Sequence, residues 1–134
     1  MGKVAEKYKE VEAYIIEMRR WFHAHPELSL EEKETSAKIK EELTKMDISF
    51  EELKPNYGIV ATIEGVETGK TIVVRGDIDA LPVKEDTGLD FASKNEGLMH
   101  ACGHDAHIAM LLGTAKVLKS FQLIKQGFPF LKEL

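Results

Sequence analysis

The sequence has little of several features that crosslink or anchor proteins. It has one cysteine, only 7% aromatic residues and no apolar run that approaches membrane-spanning length. One cysteine cannot form a disulfide within the chain, which favours a cytoplasmic protein. The charged N-terminus opens directly into a helical pattern, so the sequence predicts no secretory signal.

Composition and charge narrow the class of protein and its partners. Apolar residues make up 43% and charged residues 31% of the chain, as is usual for a globular protein. The net charge of -5 argues against nucleic acid and anionic membranes as partners. At 134 residues, one domain is the simplest organisation.

The first part of the chain has a helical pattern. Apolar residues at three- and four-residue spacing predict an amphipathic helix over about residues 3–24. It should end near Pro26, because the residue before a proline avoids the helical region. The nearby His23 and His25 are predicted to bond the terminal carbonyls of this helix, although a second metal site is the alternative.

The following segments predict a second helix and two strands. Ser29 and Glu32 have the spacing of a capping box, which predicts a helix over about residues 29–46. The pattern then changes, and two β-rich runs at 48–53 and 59–63 predict strands joined by a turn.

A third apolar run ends in carboxylates. Residues 71–74 predict a strand buried on both faces, as in the middle of an α/β sheet. Asp77 and Asp79 follow it, point the same way if the chain stays extended, and lie where ligands gather in such sheets. They are either functional carboxylates that share a cation or solvated side chains that cap a turn.

The densest chemistry lies at residues 99–107, which hold the only cysteine, three of the five histidines and one aspartate. Thiolate and imidazole together favour zinc or another first-row divalent ion over magnesium or calcium. Cys102 and His104 flank Gly103, so the backbone can turn tightly and aim both side chains at one point. A helix is predicted from there to about Phe121. Taken singly, a buried apolar cysteine or a structural histidine is the alternative.

A polar segment separates the carboxylates from this cysteine-histidine stretch. Residues 83–97 contain two glycines and predict a long loop that returns the chain to the end of the third strand. Glu85 and Glu96 lie in this loop, and their spacing singles out neither for a catalytic role.

Four segments resemble, in this order and spacing, the metal-dependent amidohydrolases of the aminoacylase/carboxypeptidase type. They are 23–28 (His-Ala-His-Pro-Glu-Leu), 76–82 (Gly-Asp-Ile-Asp-Ala-Leu-Pro), 92–95 (Ala-Ser-Lys-Asn) and 99–105 (Met-His-Ala-Cys-Gly-His-Asp). The similarity covers about residues 10–121. Its nearest branch contains N-acyl-amino-acid amidohydrolases, hippurate hydrolase and plant auxin-conjugate hydrolases.

The resemblance implies a fold and a reaction. The fold is the N-terminal part of a zinc-peptidase-like three-layer α/β catalytic domain, with helices packed on a mixed sheet. The reaction is hydrolysis of the amide bond of an N-acyl amino acid, N-acetylated or hippurate-like, by a metal-activated water. A complete site would hold two divalent metals, manganese or zinc in the first place and nickel or cobalt as alternatives.

The resemblance also implies roles for individual residues. Cys102 and His104 match metal ligands, and Asp79 matches the catalytic carboxylate that supports the site from behind the ligands. Asp77 stands where related branches place a ligating histidine. His107 matches no ligand and is expected to pack or hydrogen-bond on its helix.

Members of this family are longer than this chain. They carry a later Gln-Pro-Ala-Glu-Glu-like motif with the proton-shuttling glutamate, further ligand histidines and an inserted dimerisation domain that makes them homodimers. Here no histidine follows His107, and residues 122–134 diverge from the expected strand. The sequence therefore predicts one incomplete, truncated catalytic domain over 1–134, inactive alone. A non-catalytic metal-binding fragment or a remnant without function is the alternative.

Overall fold

Three helices and a two-stranded sheet make up the described residues, 3–64 and 69–121, of this computed structural model. In chain order they are α1 (Lys3–Ala24), α2 (Lys33–Lys45), β1 (Ser49–Leu53), β2 (Gly58–Thr62) and α3 (His104–Phe121). The predicted first and last helices are confirmed. The divergent tail lies outside the described residues. None of the described helices is long and apolar enough to cross a membrane.

The core lies between α1 and α3, and α2 and β2 close it. The largest fully buried apolar side chains come from all four elements: Phe22, Ile39, Leu43, Ile59, Ile108 and Leu112. Their spacing on the helices follows the three- and four-residue pattern of an amphipathic helix. His104 is the first residue of α3. The burial of α3 in the core therefore fixes the helix that presents this predicted ligand.

The two long helices approach closely at Gly113 of α3. A Cβ atom added there would lie 2.5 Å from the Cδ1 atom of Ile15 on α1. Alanine is favoured over glycine within a helix by about 1 kcal/mol, but overpacking a core costs about 1–3 kcal/mol. We expect Gly113→Ala to lower the free energy of unfolding, measured by urea denaturation.

A second background separates these two effects. With Ile15→Ala, the atoms that meet the new methyl group are gone, so Gly113→Ala should become neutral or stabilising. An equal loss of stability in both backgrounds would contradict the proposed steric cause.

The second helix begins later than predicted. α2 starts at Lys33, and Glu32 occupies the N-cap position without a side-chain capping bond, so the predicted capping box is wrong. Leu30, between Ser29 and Glu32, has a φ of 70°, which is left-handed and breaks the geometry that a capping box requires.

A different carboxylate caps this helix. Glu27 accepts hydrogen bonds from the backbone N–H groups of Glu34 (3.0 Å) and Thr35 (2.7 Å). It also accepts one from the Thr35 hydroxyl at 2.8 Å. These bonds satisfy amides that have no partner within the helix. They also tie the segment that follows α1 to the start of α2.

The two predicted strands are confirmed to within a residue at each end. β1 and β2 form an antiparallel pair, with Ser49 opposite Thr62 and Leu53 opposite Gly58. Alternate residues of β2 are buried, which places one face of the pair on the core.

The predicted third strand is wrong. Residues 71–74 form no strand, and Ile72 and Val73 are 39% and 52% exposed rather than buried on both faces. An apolar run becomes a central strand only where neighbouring strands accept its hydrogen bonds and helices cover its faces. Within the described residues, β1 and β2 pair only with each other.

Candidate metal centre

Short backbone bridges bring the predicted site segments together. Leu28, just after α1, pairs with Ala80 in a parallel bridge, and Leu81 pairs with Met99 in an antiparallel bridge. The second bridge closes the 83–97 loop at its base, with two N–H···O bonds of 3.0 Å. The loop therefore returns the chain to the Asp77–Asp79 segment, as predicted.

His104 faces both predicted carboxylates. Its Nδ1 atom lies 2.9 Å from Oδ1 of Asp79 and 3.0 Å from the Asp79 carbonyl oxygen. Its Nε2 atom lies 3.9 Å from Oδ2 of Asp77. Since both Asp79 groups accept hydrogen bonds, Nδ1 carries the proton and the Nε2 lone pair is left free. A carboxylate behind the ring in this way is typical of histidines that bind metals.

An open cavity gives access to this pair. It has a volume of about 560 Å³, and its lining includes Asp77, Asp79, His104, Arg75 and Tyr57. Cavities of roughly 300–1,000 Å³ are usual for small-molecule sites. The Arg75 guanidinium bonds Oδ1 of Asp77 at 3.1 Å, so the cavity presents both signs of charge. The cavity therefore gives a small polar molecule access to the His104 side chain.

Cys102 and His104 lie on opposite sides of the turn predicted at Gly103. Gly103 has a φ of 78°, which a residue with a side chain rarely adopts, so the tight turn between Cys102 and His104 is confirmed. The thiol of Cys102 is free and exposed.

The described residues fit a metal site only in part. Among residues 3–64 and 69–121, no group of three or more His, Cys, Asp or Glu side chains is arranged to hold a metal. Cys102 and His104 offer a thiol and an oriented imidazole, both donors that zinc prefers. Zinc takes about four donors, so other donors would have to come from outside the described residues.

Two further histidines lie near these residues. His100 is 3% exposed, and neither ring nitrogen has a hydrogen-bond partner in the described part of the chain. Burial lowers the pKa of His100, which keeps the ring neutral. The exposed ring of His107 stacks on His104 with centroids 5.5 Å apart, in keeping with its expected packing role.

The histidines at the end of α1 divide into two cases. His25 bonds the Trp21 carbonyl through Nδ1 at 2.6 Å, as predicted. The same prediction for His23 is wrong, because its ring turns inward, with Nδ1 2.8 Å from Asp105 and Nε2 3.0 Å from Glu85. Buried carboxylates accept stronger, charge-assisted hydrogen bonds than a helix-end carbonyl does.

Known proteins are similar to this chain in sequence. Residues 73–128 match the model of peptidase family M20/M25/M40. Thermostable carboxypeptidase 1 of Saccharolobus solfataricus is 47% identical over 117 residues, 87% of this chain and 30% of its own. N-acetylcysteine deacetylase of Bacillus subtilis is 50% identical over 105 residues, 78% of this chain and 28% of its own.

A solved structure extends the similarity to the fold. Bacillus subtilis YXEP, a dinuclear metal-binding peptidase of the M20 family, matches with a TM-score of 0.83 at 44% identity. The match covers 92% of this chain and 35% of that one, which confirms the predicted α/β fold class. The chain spans about 30% of the length of the relatives it matches. The predicted resemblance is thus confirmed, and this chain is homologous to the M20 peptidase family.

Proposed function

We propose that this chain supplies part of the metal centre of an amidohydrolase that cleaves N-acyl amino acids. One observation carries the proposal. The Nδ1–H group of His104 is held 2.9 Å from Asp79, which leaves Nε2 free, and His104 lines a cavity of about 560 Å³. This is a ligand prepared for a metal, at a place that a small substrate can reach.

Each residue has a defined part in this proposal. His104 and Cys102 are metal ligands, and Asp79 orients the His104 ring and fixes its tautomer. When bound, two divalent metals, manganese or zinc in the first place, would supply the Lewis acid for amide hydrolysis. Cys102 must remain a thiol to serve as a ligand, so we place the protein in the reducing cytoplasm.

The names of the relatives support the substrate class. A carboxypeptidase and an N-acetylcysteine deacetylase both cleave an amide bond to an amino acid. N-acyl amino acids such as hippurate and N-acetyl amino acids share that bond and are small enough for the cavity beside His104. We propose them as substrates of the complete site.

A second function is favoured by the incomplete donor set. Since no group of three or more His, Cys, Asp or Glu side chains among the described residues is arranged to hold a metal, we also consider residues 1–134 as an incomplete catalytic domain that binds metal without turnover. Cys102 and His104 would then hold one ion weakly.

One preparation separates the two functions. We would measure bound metal by elemental analysis, and hydrolysis of hippurate and N-acetyl amino acids with added manganese, zinc or cobalt. Hydrolysis that disappears in Cys102→Ala supports the amidohydrolase. Bound metal without hydrolysis supports the metal-binding fragment. If the protein shows neither bound metal nor hydrolysis, both proposed functions are contradicted.

A further inference from the structure

We propose that His23 is a positioning residue of this metal centre. It is an imidazolium held between two buried carboxylates, and it fixes the start of α3 so that His104 faces Asp79. This inference rests on the metal-binding role proposed above for His104. The residues concerned, His23 with Asp105 and Glu85, are called the His23 cluster below.

The charge of His23 follows from its two partners. Nδ1 lies 2.8 Å from Oδ2 of Asp105, and Nε2 lies 3.0 Å from Oε1 of Glu85. A carboxylate only accepts hydrogen bonds, so both ring nitrogens must carry protons. A neutral ring would turn one lone pair toward a buried anion. The three side chains are 5%, 1% and 4% exposed, in the order His23, Asp105, Glu85, so little water is present to relieve that repulsion.

The surrounding charges support the same state. Burial alone would lower the pKa of His23, but the hydrogen bonds to Glu85 and Asp105 outweigh it and raise the pKa above its usual value. The other groups facing the His23 cluster are Arg19, whose Nε is 3.4 Å from Asp105, and the neutral ring of His100. Two buried carboxylates thus face one buried cation, His23, and one exposed cation, Arg19, so their charges are balanced.

Glu85 links the His23 cluster to the 83–97 loop. Its carboxylate accepts hydrogen bonds from the Ser93 backbone N–H at 2.6 Å and from the Thr87 hydroxyl. Burial raises the pKa of Glu85, but these bonds together with His23 lower it to about 2. Glu85 is therefore an anion at neutral pH, and it joins three points of the loop to the end of α1.

Asp105 links the His23 cluster to the predicted ligand. It follows His104 in the first turn of α3, and successive side chains of a helix project about 100° apart. Once Asp105 is fixed toward His23 on α1, His104 is directed away from α1 and toward Asp79. If His23 were lost, α3 could rotate at its first turn, and the 2.9 Å contact between His104 and Asp79 would no longer be enforced.

The first test reads the ring state directly. In the full chain labelled with ¹⁵N-histidine, we expect both ring nitrogens of His23 to show protonated shifts at pH 7.5, with the signals assigned by their loss in His23→Gln. In Glu85→Gln, which keeps the shape but removes one charge, His23 should titrate at lower pH than in the wild type. A neutral His23 ring in the wild type at pH 7.5 would overturn the inference.

The second test measures the positioning role of His23 through the zinc affinity. We expect His23→Gln to weaken zinc binding about 10–100-fold, the usual cost of losing a group that orients a ligand. Affinity is measured by competition with a chromophoric chelator at pH 7.5. His25→Gln is the matched control, since His25 lies two residues away outside the His23 cluster, and it should leave affinity within about twofold of the wild type.

The outcomes separate this inference from the proposed function. If the wild type binds zinc and His23→Gln binds it equally well, the positioning role is wrong and the metal site stands. If the wild type binds no zinc, the proposed function fails and the positioning role fails with it. Circular dichroism checks that His23→Gln is folded. If it is not, the comparison is made with Glu85→Gln, for which weaker zinc binding is expected and unchanged binding would count against the role.

The pH dependence of stability gives a third readout. A group whose pKa is raised on folding adds stability that is complete below its unfolded pKa, about 6.5 for histidine. That stability is lost as pH rises through the higher folded pKa. The wild type should therefore exceed His23→Gln in urea stability most at pH 6, and the difference should shrink toward pH 9. A difference that does not change with pH would contradict the imidazolium.

Discussion

Replacing Cys102 with alanine is expected to remove most of the zinc affinity of this chain. The described residues offer two predicted donors, Cys102 and His104, and the thiolate is the one that carries charge. Losing the thiolate should lower the zinc affinity by more than about 10–100-fold, which is the usual effect of losing a group that orients a ligand. Because the thiol is exposed, the substitution leaves no cavity, and the free energy of unfolding should not change.

Cobalt binding gives a direct measurement of the expected bond between the metal and the Cys102 thiolate. The wild type should show thiolate-to-cobalt absorption in the near ultraviolet, and Cys102→Ala should not show it. His107→Ala is the matched control, since His107 is exposed and stacks on His104 without a predicted ligand role. It should bind zinc within about twofold of the wild type. Wild-type affinity in Cys102→Ala would show that Cys102 is not a ligand.

The elements that could be predicted from sequence are those whose pattern is local. α1 and α3 carry a long amphipathic repeat, and the predicted bounds agree with Lys3–Ala24 and His104–Phe121. The run 71–74 has an equally clear apolar pattern, but burial of a strand depends on partners elsewhere in the chain. Its exposed Val73 shows that composition alone cannot decide whether those partners are present.

The residues of the candidate site also divide into those that the sequence predicts and those that it does not. Cys102, His104 and Asp79 are predicted from the motifs that carry the family resemblance, and their roles stay predictions. Glu85 could not be found, because a glutamate in a polar loop is usually solvated. Its contact with His23 spans 62 residues, so no spacing in the sequence points to it. The sequence did contain one indication of the His23 cluster, namely His23 in the 23–28 motif. The structure shows that His23 and His25, which share this motif, have different environments.

Asp79→Asn tests the support of the proposed metal ligand His104, and it is expected to weaken zinc binding about 10–100-fold. The asparagine oxygen can still accept the Nδ1–H bond of His104, so the tautomer is retained. The negative charge behind the ring is lost, and with it the electrostatic support for a cation bound at Nε2. The side chain of Asp79 is 29% exposed and the change is isosteric, so the fold should persist with little change in urea stability.

A matched charge change distinguishes a local effect from a general electrostatic one. Glu96→Gln removes the same charge from an exposed position of the 83–97 loop and should leave zinc affinity within about twofold. Equal weakening by both variants would mean that net charge, not contact with His104, governs affinity. Asp79→Ala should weaken binding more than Asp79→Asn, because it loses both the charge and the hydrogen bond that fixes the tautomer. If Asp79→Asn binds zinc as the wild type does, the 2.9 Å contact holds the fold and contributes nothing to the metal centre.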